Sequence, residues 1–337
     1  MISLLVVNYR SAPLAIEAIR SARASSSAPL QVVVVDNSCD AREADALRPH
    51  ADVVIASTTN RGYAGGINDG RAHCRGDLIV VANPDVIFAA GSIDALAAAL
   101  QDAAVAGPAL YWDDAHRWPL PPSDLHTAWQ KIDEVLASRS HRWMRERDRR
   151  RFLARVAFWS LRTTTPVRAL SGAVMAFHAD APSFDERFAL YFEETDFLRR
   201  VEGRVVYVPA ARVRHLFNQS AGQVSSEAAA RFAQSELRYL EKWNGPFVAR
   251  TLKSFERSPL SFDFEPIDGP LTLDRDDVVI EASPLANFAT AAGCLDSRIV
   301  DLPQEVLSSW RGDTIYLRAV ERASGRTVGA WARRIRS

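Results

Sequence analysis

Four short runs of valine, leucine and isoleucine, with no apolar–polar alternation, most constrain what this chain can become. They are ISLLVV (2–7), QVVVV (31–35), DVVIA (52–56) and LIVVA (78–82). A strand that is apolar on both faces must be covered on both faces, which is the signature of a parallel sheet inside an α/β domain. Helical patterns separate the runs. PLAIEAIRSARAS (13–25) carries proline at its first turn and apolar residues at helical spacing, GGINDGRAHC (65–74) reads as a short helix, and Ser92 opens the alanine-rich IDALAAALQ. The alternation predicts a doubly wound α/β domain.

The pattern changes after residue 111. Residues 112–168 are rich in Trp, Pro and Arg, and SHRWMRERDRRRFLARVAFWSLR (140–162) reads as a basic helix. Its interleaved aromatics and arginines fit an anionic membrane face or a lipid-linked pyrophosphate; they equally fit a charged face over a packed apolar stripe. Strand character returns at ALSGAVMAFH (169–178) and VVYVP (205–209), and a helix follows around 227–243. SPLSFDFEPIDGP (258–270) has linker composition. Beyond it DVVIEAS (277–283), TIYLRAVE (314–321) and TVGAWARR (327–334) read as strands, the last two joined by a turn at Ser324-Gly325. The expected division is a first domain over 1–255, a linker over 256–268 and a small β-rich domain over 269–337.

Composition narrows the function. Lys plus Arg and Asp plus Glu balance at 41 each, so no global charge points to nucleic acid. Three scattered cysteines, Cys39, Cys74 and Cys294, make neither a disulfide framework nor a zinc site and fit a reducing compartment. No run approaches the roughly 20 apolar residues that span a bilayer, and MISLLVV is too short for a secretory signal. The expectation is a cytoplasmic protein, at most attached to the inner face of a membrane.

All four strands exit into polar residues: Asn8-Tyr9-Arg10, Asp36-Asn37-Ser38, Asn60-Arg61-Gly62 and Asn83-Pro84-Asp85. Each could be ordinary turn chemistry. Together they lie where open α/β sheets bind ligands, outside the carboxyl ends of the strands. Asp36 can accept hydrogen bonds from a ribose hydroxyl or a base N–H. Gly62, Gly65 and Gly66 allow close backbone approach. Asp85 is a hard oxygen ligand suited to Mg2+ or Mn2+, with substrate phosphates filling other positions. NRGYAGGINDG is not a Walker loop, since no G-K-[ST] follows, and G-x-G-x-x-G does not follow the first strand.

The stretches VVNYRS, VVVVDNSCD, NRGYAGGINDG, VVANPDV, LSGAVMAF, FDERFALYFEETDFLRRV and VVYVPAARVRH, in that order over residues 1 to about 245, resemble the inverting nucleotide-sugar glycosyltransferases of family 2, in their bacterial rhamnosyltransferase-like branch. The resemblance implies the GT-A fold, an open mixed sheet flanked by helices. It implies that Val7, Asn8, Tyr9, Asp36, Asn60, Arg61 and Gly66 line the nucleotide pocket. Asn83-Pro84-Asp85 stands where the family has its D-x-D motif; Asn83 replaces the first carboxylate, leaving Asp85 as principal metal ligand with His215 completing the site. Ser171, Gly172 and Ala173 would border donor sugar and acceptor. FEETD matches the acidic helix start that carries the catalytic base. The family's Glu-Asp is here Glu193-Glu194, and Glu194 is the favoured base, with Glu193 the other choice and Asp196 structural or positioning.

The activity implied is metal-dependent, inverting transfer of rhamnose or another deoxyhexose from a UDP- or dTDP-sugar to a saccharide or lipid-linked saccharide, in cell-wall or lipopolysaccharide synthesis. Peripheral membrane contact and self-association through the C-terminal region accompany that reading. A non-catalytic glycan-binding scaffold and a sugar-phosphate nucleotidyltransferase are the competing readings. The second would need a basic glycine-rich loop after the first strand, which NYRSAPL lacks.

Overall fold

The computed structural model describes residues 1–188, 190–216, 226–260, 262–310 and 312–335, with the side chains of 226–229 outside the description. Ala189, inside the family-like FDERFALYF stretch, and Ser261, inside the linker, fall outside it.

The first sheet contains β1 (Ile2–Asn8), β2 (Leu30–Asp36), β3 (Val53–Ala56), β4 (Leu78–Ala82), β5 (Val86–Phe88), β6 (Val105–Tyr111), β7 (Thr165–Pro166), β8 (Val174–His178) and β9 (Val205–His215), in the order β3-β2-β1-β4-β8-β6-β9-β5, with β7 on β9. β3, β2, β1 and β4 are parallel, as their uniform apolarity predicts. The sheet then becomes mixed: β8 runs antiparallel to β4 and β6, and β5 antiparallel to β9. This is the open mixed sheet, flanked by helices, that the resemblance to the GT-A fold implies.

Both faces of the sheet are buried, and residue parity decides which. Leu4, Val6, Val32, Val34 and Val80 pack with Ala15, Ala18 and Ile19 of α1 (Ala12–Ala24), across from α2 (Ala41–Leu47) and beside Ile93 and Leu96 of α4 (Ser92–Ala99). Leu5, Val7, Val33, Val35 and Val81 pack on the other side with Ala64 and Ile67 of α3 (Gly62–Arg71). A strand feeding two cores in alternation is apolar at both parities, and the buried polar exceptions near the strand starts, Ser3 and Gln31, hydrogen-bond each other (2.6 Å).

Residues 112–168 hold two helices, α5 (Ala128–Ala137) and α6 (His141–Trp159). α7 (Glu193–Arg200), α8 (Ser226–Asn244) and α9 (Pro246–Ser254) complete the helical part. The five-stranded C-terminal sheet has the order Glu265–Pro266, Thr327–Arg334, Thr314–Glu321, Val278–Ser283, Ala292–Cys294. Its central strands are those read from sequence, and Gly325, at φ +71°, supplies the turn.

The core of that sheet is continuous with residues 112–168. Ile280, Leu317 and Trp331 cluster with Trp112, Trp118 and Leu120. Val279 and Val320, of opposite parity, meet Phe152 and Trp159 of α6. Between them lies a buried ion-pair network. Arg155 of α6 donates to both oxygens of Glu281 (2.7 and 3.1 Å), and Arg318 donates to Glu281 (2.6 Å) and to Asp148 of α6 (2.7 Å). The Arg318 guanidinium also lies 4.1 Å from the ring centre of Phe288.

Candidate active site

The exits of β1 and β2 are in register, with Asn8 opposite Asp36. Asn8 Nδ2 donates to Asp36 Oδ1 (2.9 Å) and Glu43 Oε2 (3.0 Å), while Asn8 Oδ1 accepts from the Ser11 hydroxyl (2.9 Å). The Ser38 hydroxyl also donates to Asp36 Oδ1, at 2.5 Å. Asp36 is thus held rigidly at a buried strand end. A cleft of 670 Å3 opens next to it, lined by Arg10, Ser38, Cys39, Asp40, Arg42 and Glu43. Val7 is buried beneath this edge and Tyr9 stands half exposed at its rim.

The third exit turns at Gly62, at φ +73°, whose N–H donates to the Asn60 side chain (2.8 Å). Asn37 Nδ2 donates to the Gly62 carbonyl (2.8 Å), and Asn37 Oδ1 is buried without a partner among the described residues. Arg61 is engaged by Asp69 and Glu186. Gly66 faces the sheet: a Cβ there would lie 2.7 Å from Val7 Cγ1, so its place in the fold is close helix–sheet packing.

Asp85 and His215 come together because β5 pairs with the end of β9, Val86 opposite His215. His215 Nε2 lies 3.4 Å from Asp85 Oδ1, and Asp85 is buried. One hard oxygen and one imidazole nitrogen this close suit a divalent ion. Among the described residues no group of three His, Cys, Asp or Glu gathers, so the remaining positions would fall to substrate phosphate and water.

Across from this pair, Asn83 N donates to the Ala173 carbonyl (2.8 Å), tying the β4 exit to the Ser171-Gly172-Ala173 turn. A Cβ on Gly172 would meet Glu194 Cβ, Cγ and Cδ at 3.3 to 3.5 Å, so Glu194 lies directly on that turn. Tyr63 donates its hydroxyl to the Gly172 carbonyl (2.9 Å). Burial, then the negative charges of Glu193, Glu194 and Asp85, raise its pKa well above the usual phenol. The charges of all three carboxylates therefore reach this one half-buried hydroxyl.

α7 begins after two consecutive non-glycine residues in the left-handed region, Tyr191 and Phe192, both at φ +69°. Such backbone is costly and clusters at functional sites. Packing holds it: Phe192 is wedged among Tyr239 and Phe232 of α8 and His126. Glu193 is 5% exposed, and its Oε2 has no partner among the described residues. Burial, then the charge of Glu194, push the Glu193 carboxyl well above its ordinary 4.5; burial raises Glu194 as well. Asp196 is different. It accepts from Trp243 Nε1 (3.0 Å) and Arg200 Nε (2.8 Å) and pairs with Lys242 (2.6 Å), a buried structural anchor.

The residues read from sequence therefore form two groups: Asn8 and Asp36 beside the cleft, and the Gly172 turn with Glu194 upon it and Tyr63 bonded to it, near which Glu193 and the Asp85 of the Asp85–His215 pair lie close enough to act on Tyr63 by charge. Tyr63 itself was not among the expected site residues. It is the sole hydroxyl side chain in NRGYAGGINDG, the one signal that singles it out.

Residues 3–166 match the family model for glycosyl transferase family 2. Two relatives, the N-acetylglucosaminyl-diphospho-decaprenol L-rhamnosyltransferases of Mycobacterium tuberculosis strains CDC 1551 and H37Rv, are each 26% identical over 266 residues, covering 66% of this chain and 78% of theirs. Among solved structures, the mannosyltransferase PcManGT from Pyrobaculum calidifontis with GDP-Man and Mn2+ is 15% identical, with a TM-score of 0.46 over 75% of this chain and 73% of its own. S. aureus TarS 1-349 with UDP is 14% identical, with a TM-score of 0.42 over 75% and 70%.

Proposed function

We propose that this chain, a glycosyltransferase of family 2, moves a deoxyhexose such as rhamnose, with inversion, from a UDP- or dTDP-sugar to a lipid-linked saccharide in cell-surface polysaccharide synthesis. The observation that carries the reading is Glu194 resting on the Gly172 turn that Tyr63 holds, with Asp85, the neighbour of His215, close enough for its charge to act on the same Tyr63 hydroxyl. Inverting transfer needs a base beside the acceptor hydroxyl and a cationic partner for the departing diphosphate, on opposite sides of the anomeric carbon. The rhamnosyl relatives, whose name specifies a diphospho-decaprenol acceptor, support the sugar and acceptor class.

In this reading Glu194 takes the proton from the acceptor hydroxyl as its oxygen bonds to the anomeric carbon and the bond to the diphosphate breaks. Burial raises the Glu194 pKa, bringing its basicity nearer to that task. Tyr63 fixes the Gly172 carbonyl, and with it the turn beneath the base. Asn8 and Ser38 orient Asp36 towards the nucleoside. Asp85 and His215 would hold Mg2+ or Mn2+, which supplies charge neutralisation for the leaving diphosphate. The enzyme would work at the inner membrane face.

The test is Glu194→Gln. It keeps the shape but cannot take the proton, so transfer should fall by about 10²–10⁴-fold while UDP or dTDP binding is retained. Glu193→Gln should cost less. Near-normal turnover in Glu194→Gln with collapse in Glu193→Gln would move the base to Glu193. Full activity in both would overturn the assignment.

A further inference from the structure

The two most exposed large apolar side chains among the described residues lie on neighbouring helices: Phe247 on α9, 83% exposed, and Trp129 on α5, 76% exposed. Each belongs to a stripe. Trp129 and Leu136 are two turns apart on α5, and Phe247 and Val248 of α9 are followed two turns later by Phe255. Arg139 joins the stripes. Its guanidinium lies 5.4 Å from the Phe255 ring centre, and its Nη2 donates to the Phe255 carbonyl (3.0 Å). Isolated surface apolar residues are ordinary, but exposed apolar stripes on two packed helices, with Arg139 at the end of one held on Phe255 of the other, call for a partner.

The helix pair cannot simply turn this face inward, because its other side is already locked. Lys131 of α5 is buried against Glu236 of α8 (2.6 Å) and against Glu256, just beyond α9. No helix among the described residues is long and apolar enough to cross a membrane.

Charge selects the occupant. Among the described residues, Arg142 and Arg257 have no carboxylate partner and Arg139 bonds only a carbonyl. The nearby carboxylates are taken, Glu134 by Arg147, Glu241 by Arg250 and Glu256 by Lys131 and Lys253. Two copies placed face to face would oppose these cations. An anionic lipid surface would complement them, with aromatic rings at headgroup depth and guanidiniums on the phosphates.

We infer that the α5–α9 face docks this protein on an anionic bilayer, with Trp129, Phe247 and Phe255 entering the interface and Arg139, Arg142 and Arg257 meeting lipid phosphates. The face is tied to the site. His126, three residues before Trp129, packs 4.8 Å edge-on to the ring of Phe192, which immediately precedes Glu193 and Glu194. Docking would therefore hold the acidic helix start near the surface from which a lipid-linked acceptor projects. That purpose rests on the proposed function; the docking itself does not.

The test is co-sedimentation of the full chain with vesicles of phosphatidylcholine alone and of phosphatidylcholine with phosphatidylglycerol in equal parts. Binding should occur only to the anionic vesicles and weaken with salt. Trp129→Ser with Phe247→Ser should reduce partitioning by about tenfold or more, and Arg142→Gln and Arg257→Gln by about fivefold each. These exposed changes should leave nucleotide binding and the melting temperature intact. Failure to bind anionic vesicles, or binding that none of the variants alters, overturns the inference. Light scattering that shows a dimer dissolved by the Trp129 and Phe247 changes also overturns it, in favour of a second copy. Vesicle binding without any glycosyl transfer would instead refute the proposed function and leave the docking face standing.

Discussion

Glu193 is a carboxyl buried beside another carboxyl, and that arrangement has a thermodynamic signature. Its folded-state pKa is raised above the ordinary 4.5, so the native protein holds this proton at pH values where the unfolded chain has released it. The native state then binds more protons, and stability falls as pH rises from 4.5 towards the raised value. Glu193→Gln removes the ionisation. We expect it to raise the melting temperature relative to the native sequence, with a larger gain at about pH 8 than at about pH 5; a gain independent of pH would mean that Glu193 is ionised in the fold. Asp85→Ala should abolish the stabilisation that UDP or dTDP gives in Mn2+, about 2.7 kcal/mol at a hundredfold excess over Kd, and EDTA should act likewise on the native protein. Equal stabilisation of both proteins with and without metal would remove Asp85 from the metal site. Asp85 was singled out in sequence because it is a carboxylate at the exit of an apolar strand, whereas His215 and the acid pair were singled out by the family resemblance. Tyr63, Asn37 and the packing role of Gly66 were not, because their significance lies in what stands opposite them across the fold.

At the scale of elements, α6 shows why a basic sequence is a poor guide to a basic surface. Of the two readings its sequence allowed, the packed stripe is realised from Arg147 onward, while Arg142 in the first turn keeps no carboxylate partner among the described residues and is left to the docking face. Phe152 and Trp159 are buried, Arg155 is in the core with Glu281, and Arg147 and Arg150 bind Asp133 of α5. Breaking a buried ion pair from one side leaves an uncompensated charge. Glu281→Ala strands the Arg155 guanidinium and leaves Arg318 only Asp148, and should cost about 3–5 kcal/mol in denaturant unfolding; a loss below about 1 kcal/mol would mean that water reaches the network. The parallel strands were readable because both of their faces are buried, and α6 because the Ser140 hydroxyl oxygen accepts from the Trp143 N–H at its start and no Gly or Pro interrupts it. α2 and α9, at seven and nine residues, are too short to be stable alone, and their helicity follows from docking. α5 was hidden in the same way, although Thr127 and Gln130 form a capping box at its start.

Taken whole, the molecule divides less cleanly than its sequence does. Proline and acidic residues around 258–270 mark a break in chain direction, which composition can reveal. The sharing of one core by segments 150 residues apart is a tertiary fact that composition cannot carry. Gly293 of the C-terminal sheet lies so close to Trp159 that a Cβ there would fall 2.3 Å from the indole. We therefore expect a chain ended after Glu256 to be insoluble or to unfold without cooperativity, since Phe152, Trp112 and Trp118 lose their cover. A soluble, nucleotide-binding product of that length would show two independent domains. The pairing of β5 with β9 has a consequence in time. Asp85 leaves the ribosome about 130 residues before His215, which at about 5–20 residues per second is roughly 6 to 26 seconds. Until β9 is made, β5 has no strand partner and β6, once present, has a bare edge where β9 will pair, and whichever chaperone attends the emerging chain guards a half-built pocket until one late strand closes it.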